Sequence, residues 1–227
     1  MTFPGRTRGA ALGPRLQALL DLVPSVETLV DVGCDHAEVA CRSVQTGRAR
    51  RAIGVELSRE ALAAGARTVA RLGLQAQVDL RSGDGFAPIS TDDRAKAAVL
   101  AGMGGRTMLQ ICARRDPRAL GIRRLALQPN RDEDQVRAQL GAAGWGLVAE
   151  RLPIVGGRAF PTLLFDAEAA PERLTPLELL LGPHLLRDRP PGLGQRAAQW
   201  HAHLARKPSG EVDAVLVAEL AQWADPD

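Results

Sequence analysis

The stretch Asp31-Val32-Gly33-Cys34-Asp35-His36 decides how this chain is read. It follows a β-rich segment, Thr28 to Val32, and it leads into a helical pattern from His36 to Thr46 that stops at Gly47. A glycine turn between a strand and a helix is where an open α/β sheet receives its ligand. Gly33 allows the backbone to come close to that ligand. The neighbouring carboxylates indicate its charge. A dinucleotide pyrophosphate requires glycines and free N–H groups without fixed anions. This loop lacks G-x-G-x-x-G and carries Asp31 and Asp35 instead. Two carboxylates suit a ligand bearing positive charge. Asp35 also reads as an N-cap for the helix from His36.

Outward from the loop, apolar runs alternate with helical patterns. Ala52 to Leu57 is a second strand, and Ser58 caps a helix that runs to Leu72 and stops at Gly73. Gln77 to Arg81 is a third strand, and the apolar run Ala97 to Met103 a buried fourth. A helix follows from Gly104 to Ala113. Arg124 to Gln128 is a fifth strand stopped at Pro129, and Asp132 to Ala143 is helical. Leu147 to Val155 and Thr162 to Phe165 are two strands joined by Gly156-Gly157, a hairpin turn signal. The spacing predicts an α/β fold, a doubly wound Rossmann-like sheet with one antiparallel strand and a terminal hairpin. Ala167 to Pro171 reads as a linker. Helices over Thr175 to Leu186, Gln195 to Ala205 and Glu211 to Trp223 then form a small extension. The division is a catalytic domain over 1–168 and a helical extension over 169–227.

The 227 residues suit one such domain plus an appendage, and 45% hydrophobic residues supply a core. The arginine-bearing start, Met1 to Leu16, has no continuous apolar run, so it does not read as a secretory signal. No stretch is apolar enough to span a bilayer. Cys34, Cys41 and Cys112 form no C-x-x-C pair, which argues against a disulfide framework or a zinc site and for a reducing, cytoplasmic setting. The net charge of +3 is carried almost wholly by arginine, whose planar fork binds phosphate. Arg6, Arg8 and Arg15 precede any acid, while Gly210 to Asp227 carries only acids. Such a basic front suits nucleic acid. His201 and His203 lie two apart on a helix and face different ways. Trp145, Trp200 and Trp223 read as packing residues.

The segments after the other strands complete the chemistry. A ligand with both an ammonium and a sulfonium is S-adenosylmethionine, and Asp31 and Asp35 would orient it. Glu56, with Leu57 beside it, ends the second strand, where an acid accepts from ribose hydroxyls. Gly83-Asp84-Gly85 follows the third strand and either makes a turn or meets the adenine amino group. Ala101-Gly102-Met103-Gly104-Gly105 follows the fourth, where the methyl acceptor should lie. It is not the Asn/Asp-Pro-Pro-aromatic motif of amino-directed DNA methylases. Gln128-Pro129-Asn130 follows the fifth and can read a base edge or close a turn.

Together these pieces resemble the bacterial tRNA (adenine(22)-N(1))-methyltransferase family. The likeness rests on Leu12-x-x-Arg15-Leu16, Asp31-Val32-Gly33-x-Asp35-His36-Ala37, Ala101-Gly102-Met103-Gly104-Gly105, Leu127-Gln128-Pro129-Asn130 and Leu181-Gly182-Pro183. It departs at Glu38-Val39-Ala40, where the family has Tyr-Leu-Pro. It departs again at Gly157-Arg158-Ala159-Phe160-Pro161, where the family has Gly-Lys-x-Tyr-Glu. The resemblance implies a class I methyltransferase acting on N1 of an adenine in tRNA. The cofactor positions are then Asp31, Gly33, Asp35, His36, Glu56, Leu57, Asp84, Gly85, Ala101, Gly102 and Met103. Arg15, Gly104, Gly105, Gln128 and Asn130 border the acceptor. Asp35, His36 and Asn130 are the catalytic candidates, and no metal is expected. The alternatives are a methyltransferase of another acceptor, or a protein that binds the cofactor or RNA without turnover.

Overall fold

The computed structural model describes residues 12–206 and 213–224. Arg6 and Arg8, two of the three charges of the basic front, lie outside the described residues. The same holds for residues 211 and 212, where the last helix was expected to begin.

Seven strands form one sheet. They are β1 (Val26–Val32), β2 (Ala49–Glu56), β3 (Val78–Ser82), β4 (Ala95–Met103), β5 (Arg124–Pro129), β6 (Gly146–Arg151) and β9 (Thr162–Asp166). Two short strands, β7 (Ile154–Val155) and β8 (Arg158–Ala159), stand apart as a ribbon. The sheet order is β3-β2-β1-β4-β5-β9-β6. The first five strands are parallel, and β9 is antiparallel to both its neighbours, β5 and β6. The winding reverses between β1 and β4, so a crevice opens at their carboxyl ends.

Helices cover both faces. On one side, α4 (Gly105–Arg114) and α5 (Glu133–Ala142) pack over a layer that includes Met108, Val136, Trp145 and Phe165. On the other, α1 (Pro14–Leu22) places Leu19 and Leu20 against Val99, Ala126 and Leu164. Further along that face, α2 (Glu38–Gln45) and α3 (Arg59–Leu72) flank β2 and β3. The ends of α3 follow the sequence. The Ser58 hydroxyl accepts from the N–H of Ala61 at 3.3 Å, and Gly73 closes the helix in the left-handed region.

Three expectations are corrected. First, α2 begins at Glu38, not His36, and Asp35 is not its cap. Ala37 takes the cap position without a side-chain bond. The carboxylate of Asp31 supplies the missing acceptor, taking the N–H of Ala40 at 3.1 Å. Second, the terminal hairpin is not one long pair. β6 stops at Arg151, and Gly156-Gly157 turns the small β7–β8 ribbon instead, both glycines having positive φ as such a two-residue turn requires. The partner of β6 in the sheet is β9. Pro161 stands just ahead of β9, where the ladder needs no N–H. Third, the helix expected over Thr175 to Leu186 breaks at Gly182-Pro183 into α6 (Pro176–Leu181) and α7 (Pro183–Asp188).

The last helices, α8 (Leu193–Leu204) and α9 (Ala214–Ala224), share an apolar cluster with α6 and α7. Leu152, just past β6, and Ala159 of β8 belong to that cluster, so the extension is docked on the end of β6 and on the small ribbon. A fully buried ion pair reinforces the junction. Arg137 Nε donates to Glu150 Oε1 at 2.9 Å, and Arg137 also donates to the carbonyl of Leu179 at 2.6 Å. Glu150 in turn accepts from the N–H of His184 at 3.1 Å.

Candidate functional site

A cavity of about 420 Å3 opens at the carboxyl ends of β1 and β4. Its floor is the loop after β1. Gly33 has φ +71, and a Cβ there would lie 2.9 Å from Met103 Cε. Asp35 and Ala37 are also left-handed, with φ 47 and 57. Aspartate tolerates that region, whereas alanine is strained there by on the order of 1 kcal/mol. The loop is held by its neighbours. The N–H groups of Gly33 and Cys34 both reach the carbonyl of Val55, at 2.8 and 3.1 Å. Glu56 accepts from the N–H of Asp35 at 3.0 Å and from that of Ser58 at 2.9 Å. The carboxylate expected to meet a ribose is therefore also the brace between the first two loops. Each oxygen keeps a free lone pair for that ribose.

The electrostatics of the cavity are acidic. Asp31, Asp35 and Glu38 all line it, with His36 and Arg15. Asp31 is 3% exposed, and burial pushes its carboxyl up to about 7, with the bond from Ala40 opposing and Glu56 adding to the rise. Asp35 and His36 stand in the open, 3.4 Å apart. Cys34 is buried, and burial together with the nearby carboxylates pushes its thiol up, so it is no nucleophile.

The opposite wall is Ala101, Gly102 and Met103. Here the Gly102 peptide is held from both ends. Gln128 Oε1 accepts its N–H at 3.2 Å, and Asn130 Nδ2 donates to its carbonyl at 2.6 Å. With φ +75 and no atom closer than Arg15 Nη2 at 3.9 Å, Gly102 leaves open space where a side chain would stand. Arg15 Nη1 donates to Asn130 Oδ1 at 3.2 Å, tying α1 to the end of β5.

The structure thus brings Arg15, Asp31, Gly33, Asp35, His36, Ala101, Gly102 and Met103 to one cavity, with Asn130 behind it. Other candidates stand elsewhere. Asp84 and Gly85 line a separate hollow of about 280 Å3, where Asp84 is ion-paired with Arg114. Leu57 is exposed beyond Glu56. Gln128 is fully buried, with both ends of its amide on backbone, so it shapes Gly102 rather than facing a base. Gly104 lies under Arg131, and Gly105 packs tightly on the backbone of Asp132.

Sequence reasoning gave no role to several residues near the site. Phe160 sits between two guanidiniums, with Arg15 at 5.5 Å and Arg158 at 5.1 Å from its ring centre. Trp200 and His203, read as packing and as incidental, line a second cleft with Arg106, Arg131 and Arg158. Among the described residues, no group of three or more metal-ligating side chains could hold a metal ion. No described helix is long and apolar enough to cross a membrane.

The sheet order, the bent acidic loop after β1 and the glycine wall after β4 define a Rossmann-like cofactor-binding fold of the class I methyltransferase type. Solved structures agree. A protein of the NADB-Rossmann superfamily from Streptococcus agalactiae superposes with a TM-score of 0.84 at 26% identity, over 95% of this chain and 98% of that one. A putative tRNA (m1A22) methyltransferase of Streptococcus pneumoniae, in complex with S-adenosyl-L-methionine, gives a TM-score of 0.83 at 25% identity, over 94% and 98%. In sequence, the tRNA (adenine(22)-N(1))-methyltransferase of Bacillus subtilis is 29% identical over 182 residues, covering 78% of this chain and 76% of its own. The profile of the tRNA (adenine(22)-N(1))-methyltransferase family matches residues 29–211, and the chain belongs to that family.

Proposed function

We propose that this protein transfers the methyl group of S-adenosylmethionine to N1 of an adenine in tRNA. The observation that carries this reading is the acidic cavity beside the braced Gly102 peptide, in a chain of this family. The residues present fit the cofactor. A buried carboxyl, Asp31, raised by burial, with two more carboxylates at the cavity edge, is a donor set for a cation and not for a phosphate.

When bound, the cofactor supplies an electrophilic methyl on a positive sulfur. Adenine N1 carries an in-plane lone pair, so no base has to act before attack. The N1–CH3 bond forms as the methyl–sulfur bond breaks, and the positive charge passes to the adenine ring. The chain's task is alignment and charge stabilisation. Asn130, fixed by Gly102 and Arg15, positions the base. Asp35, exposed at the cavity edge beside His36, stabilises the charge that develops on the ring. Residues 1–168 are the catalytic unit in this reading, and 169–227 the helical extension. A tRNA substrate implies the cytoplasm as the compartment.

The test is incubation with S-adenosylmethionine and an unmodified tRNA transcript, followed by nucleoside mass spectrometry. N1-methyladenosine is the expected product. A protein that binds the cofactor yet forms no N1-methyladenosine overturns the reading. Asp35→Ala should lose turnover, and full activity in that variant would remove Asp35 from the mechanism.

A further inference from the structure

A second cleft, of about 510 Å3, opens beside the cofactor cavity, between the starts of α4 and α5 and one face of α8. The two share a wall. Asn130 lines the second cleft, its side chain accepts from Arg15 of the first, and its carbonyl accepts from Arg158 of the second at 3.2 Å. A polynucleotide that placed one base in the first cavity would carry its backbone past Asn130 into the second.

The chemistry of the cleft suits such a strand. Arg106 and Arg131 have side chains 70% and 82% exposed, and the bond from Arg106 Nε to Gln135 Oε1, at 3.3 Å, is one that a ligand can replace. Four arginines of the cleft, Arg106, Arg131, Arg158 and Arg196, outnumber its three acids, Asp132, Glu133 and Asp134. Glu133 is taken by the buried Arg196. Asp132 stands 3.9 Å from Arg106 and 3.7 Å from Arg131, at separations where exposed ion pairs are weak and exchange readily. Trp200 adds an aromatic ring, with Arg196 over it at 5.5 Å and His203 packed edge-on at 5.7 Å. Its indole N–H is buried and meets no acceptor among the described residues. Guanidiniums beside an aromatic ring are the combination that holds unstacked RNA, by phosphate and by base stacking.

We propose that this cleft is a second RNA subsite for a nucleotide flanking the target adenine, its phosphate on Arg106, Arg131 and Arg158 and its base on Trp200. The inference rests on the proposed tRNA substrate. The double variant Arg106→Ala/Arg131→Ala tests it, with Trp200→Leu and Trp200→Phe beside it. The affinity for unmodified tRNA is measured by filter binding over a salt series, apart from turnover, and cofactor affinity by calorimetry. The double variant should bind tRNA about tenfold or more weakly, and its salt slope should be shallower by about 0.7 for each phosphate it no longer neutralises. Its KM for tRNA should rise in step while kcat and cofactor affinity hold. Trp200→Phe should keep most of the affinity that Trp200→Leu loses. Wild-type affinity and salt slope in the double variant would overturn the subsite. A wild-type protein that binds tRNA but does not methylate it would overturn the proposed reaction alone, and the binding series would still decide the cleft.

Discussion

The side chain of Asn130 donates to the carbonyl of Gly102 at 2.6 Å while its own oxygen accepts from Arg15 at 3.2 Å. One amide thus locks three segments together: α1, the end of β4 and the end of β5. Asn130→Ala removes both bonds and leaves the Gly102 carbonyl free to turn. Since misplacement of reacting groups by about 1 Å costs on the order of 100-fold in rate, turnover should fall by about that factor. Cofactor affinity should change far less. Single-turnover methyl transfer with calorimetry on the same sample separates the two.

In the proposed reading, Asp31 should make cofactor binding depend on pH. Burial raises its carboxyl from the ordinary 3.8 to about 7. The folded state therefore holds a proton that the unfolded state gives up, so this group favours folding most below about pH 4. That contribution declines as pH rises towards about 7 and is flat above. A cationic ligand favours the ionised form, so binding near pH 6 should release about one proton. Calorimetry in two buffers of different ionisation enthalpy reads that proton directly. Asp31→Asn should abolish the release and weaken binding about 10- to 100-fold, the scale of a charged contact of about 1.5–3 kcal/mol.

Gly65 sits inside α3, where alanine would ordinarily stabilise a helix by about 1 kcal/mol. Here a Cβ would stand 3.1 Å from the carbonyl oxygen of Asp35 and 3.3 Å from Ala37 Cβ. These are two of the loop's three left-handed residues, Gly33 being the other. Gly65→Ala should therefore cost about 1 kcal/mol in urea unfolding instead of gaining it, and cofactor affinity should drop with it. An increase in stability would show that the loop is not seated on α3.

The Arg137–Glu150 pair is buried on both sides and holds the extension to the sheet. Removing one member strands the other charge in the interior. Arg137→Met should cost about 3–5 kcal/mol in chemical denaturation. It should also speed limited proteolysis between residues 167 and 171. Unchanged unfolding would mean that the junction stands on the apolar cluster around Leu152 and Leu181 alone.

Much of this was legible in the sequence for simple reasons. The β4 stretch is apolar because it is covered on both faces, and Ser58 and Gly73 mark the ends of α3 by local bonds alone. The ligand loop was legible as chemistry, since carboxylates and a glycine announce themselves. Its geometry was not. Nothing local says that Asp31, five positions before the expected helix, caps α2 from below while Asp35 turns left-handed. The strand order at β9 was hidden as well, because Gly156-Gly157 signals a turn but not which strands flank it in the sheet. Gln128 and Asn130 look alike in sequence, yet one is buried against Gly102 and the other looks out. The second cleft was least legible, since Arg106, Arg131, Arg158 and Trp200 are scattered over 95 positions and meet only in the fold.

The position of α1 has a consequence for the newborn chain. This helix precedes every strand of the sheet, and the surface it covers includes β5, β6 and β9, the last three strands of that sheet to be made. Arg15 cannot meet Asn130 until the ribosome has passed beyond residue 130, and its helix cannot settle until β9 has slipped between β5 and β6. The site is therefore closed by a segment made early upon strands made late, and a nascent chain that has not reached β9 lacks a finished pocket. Such long-range closure makes for slow folding, and it leaves the pocket open while the chain is still short.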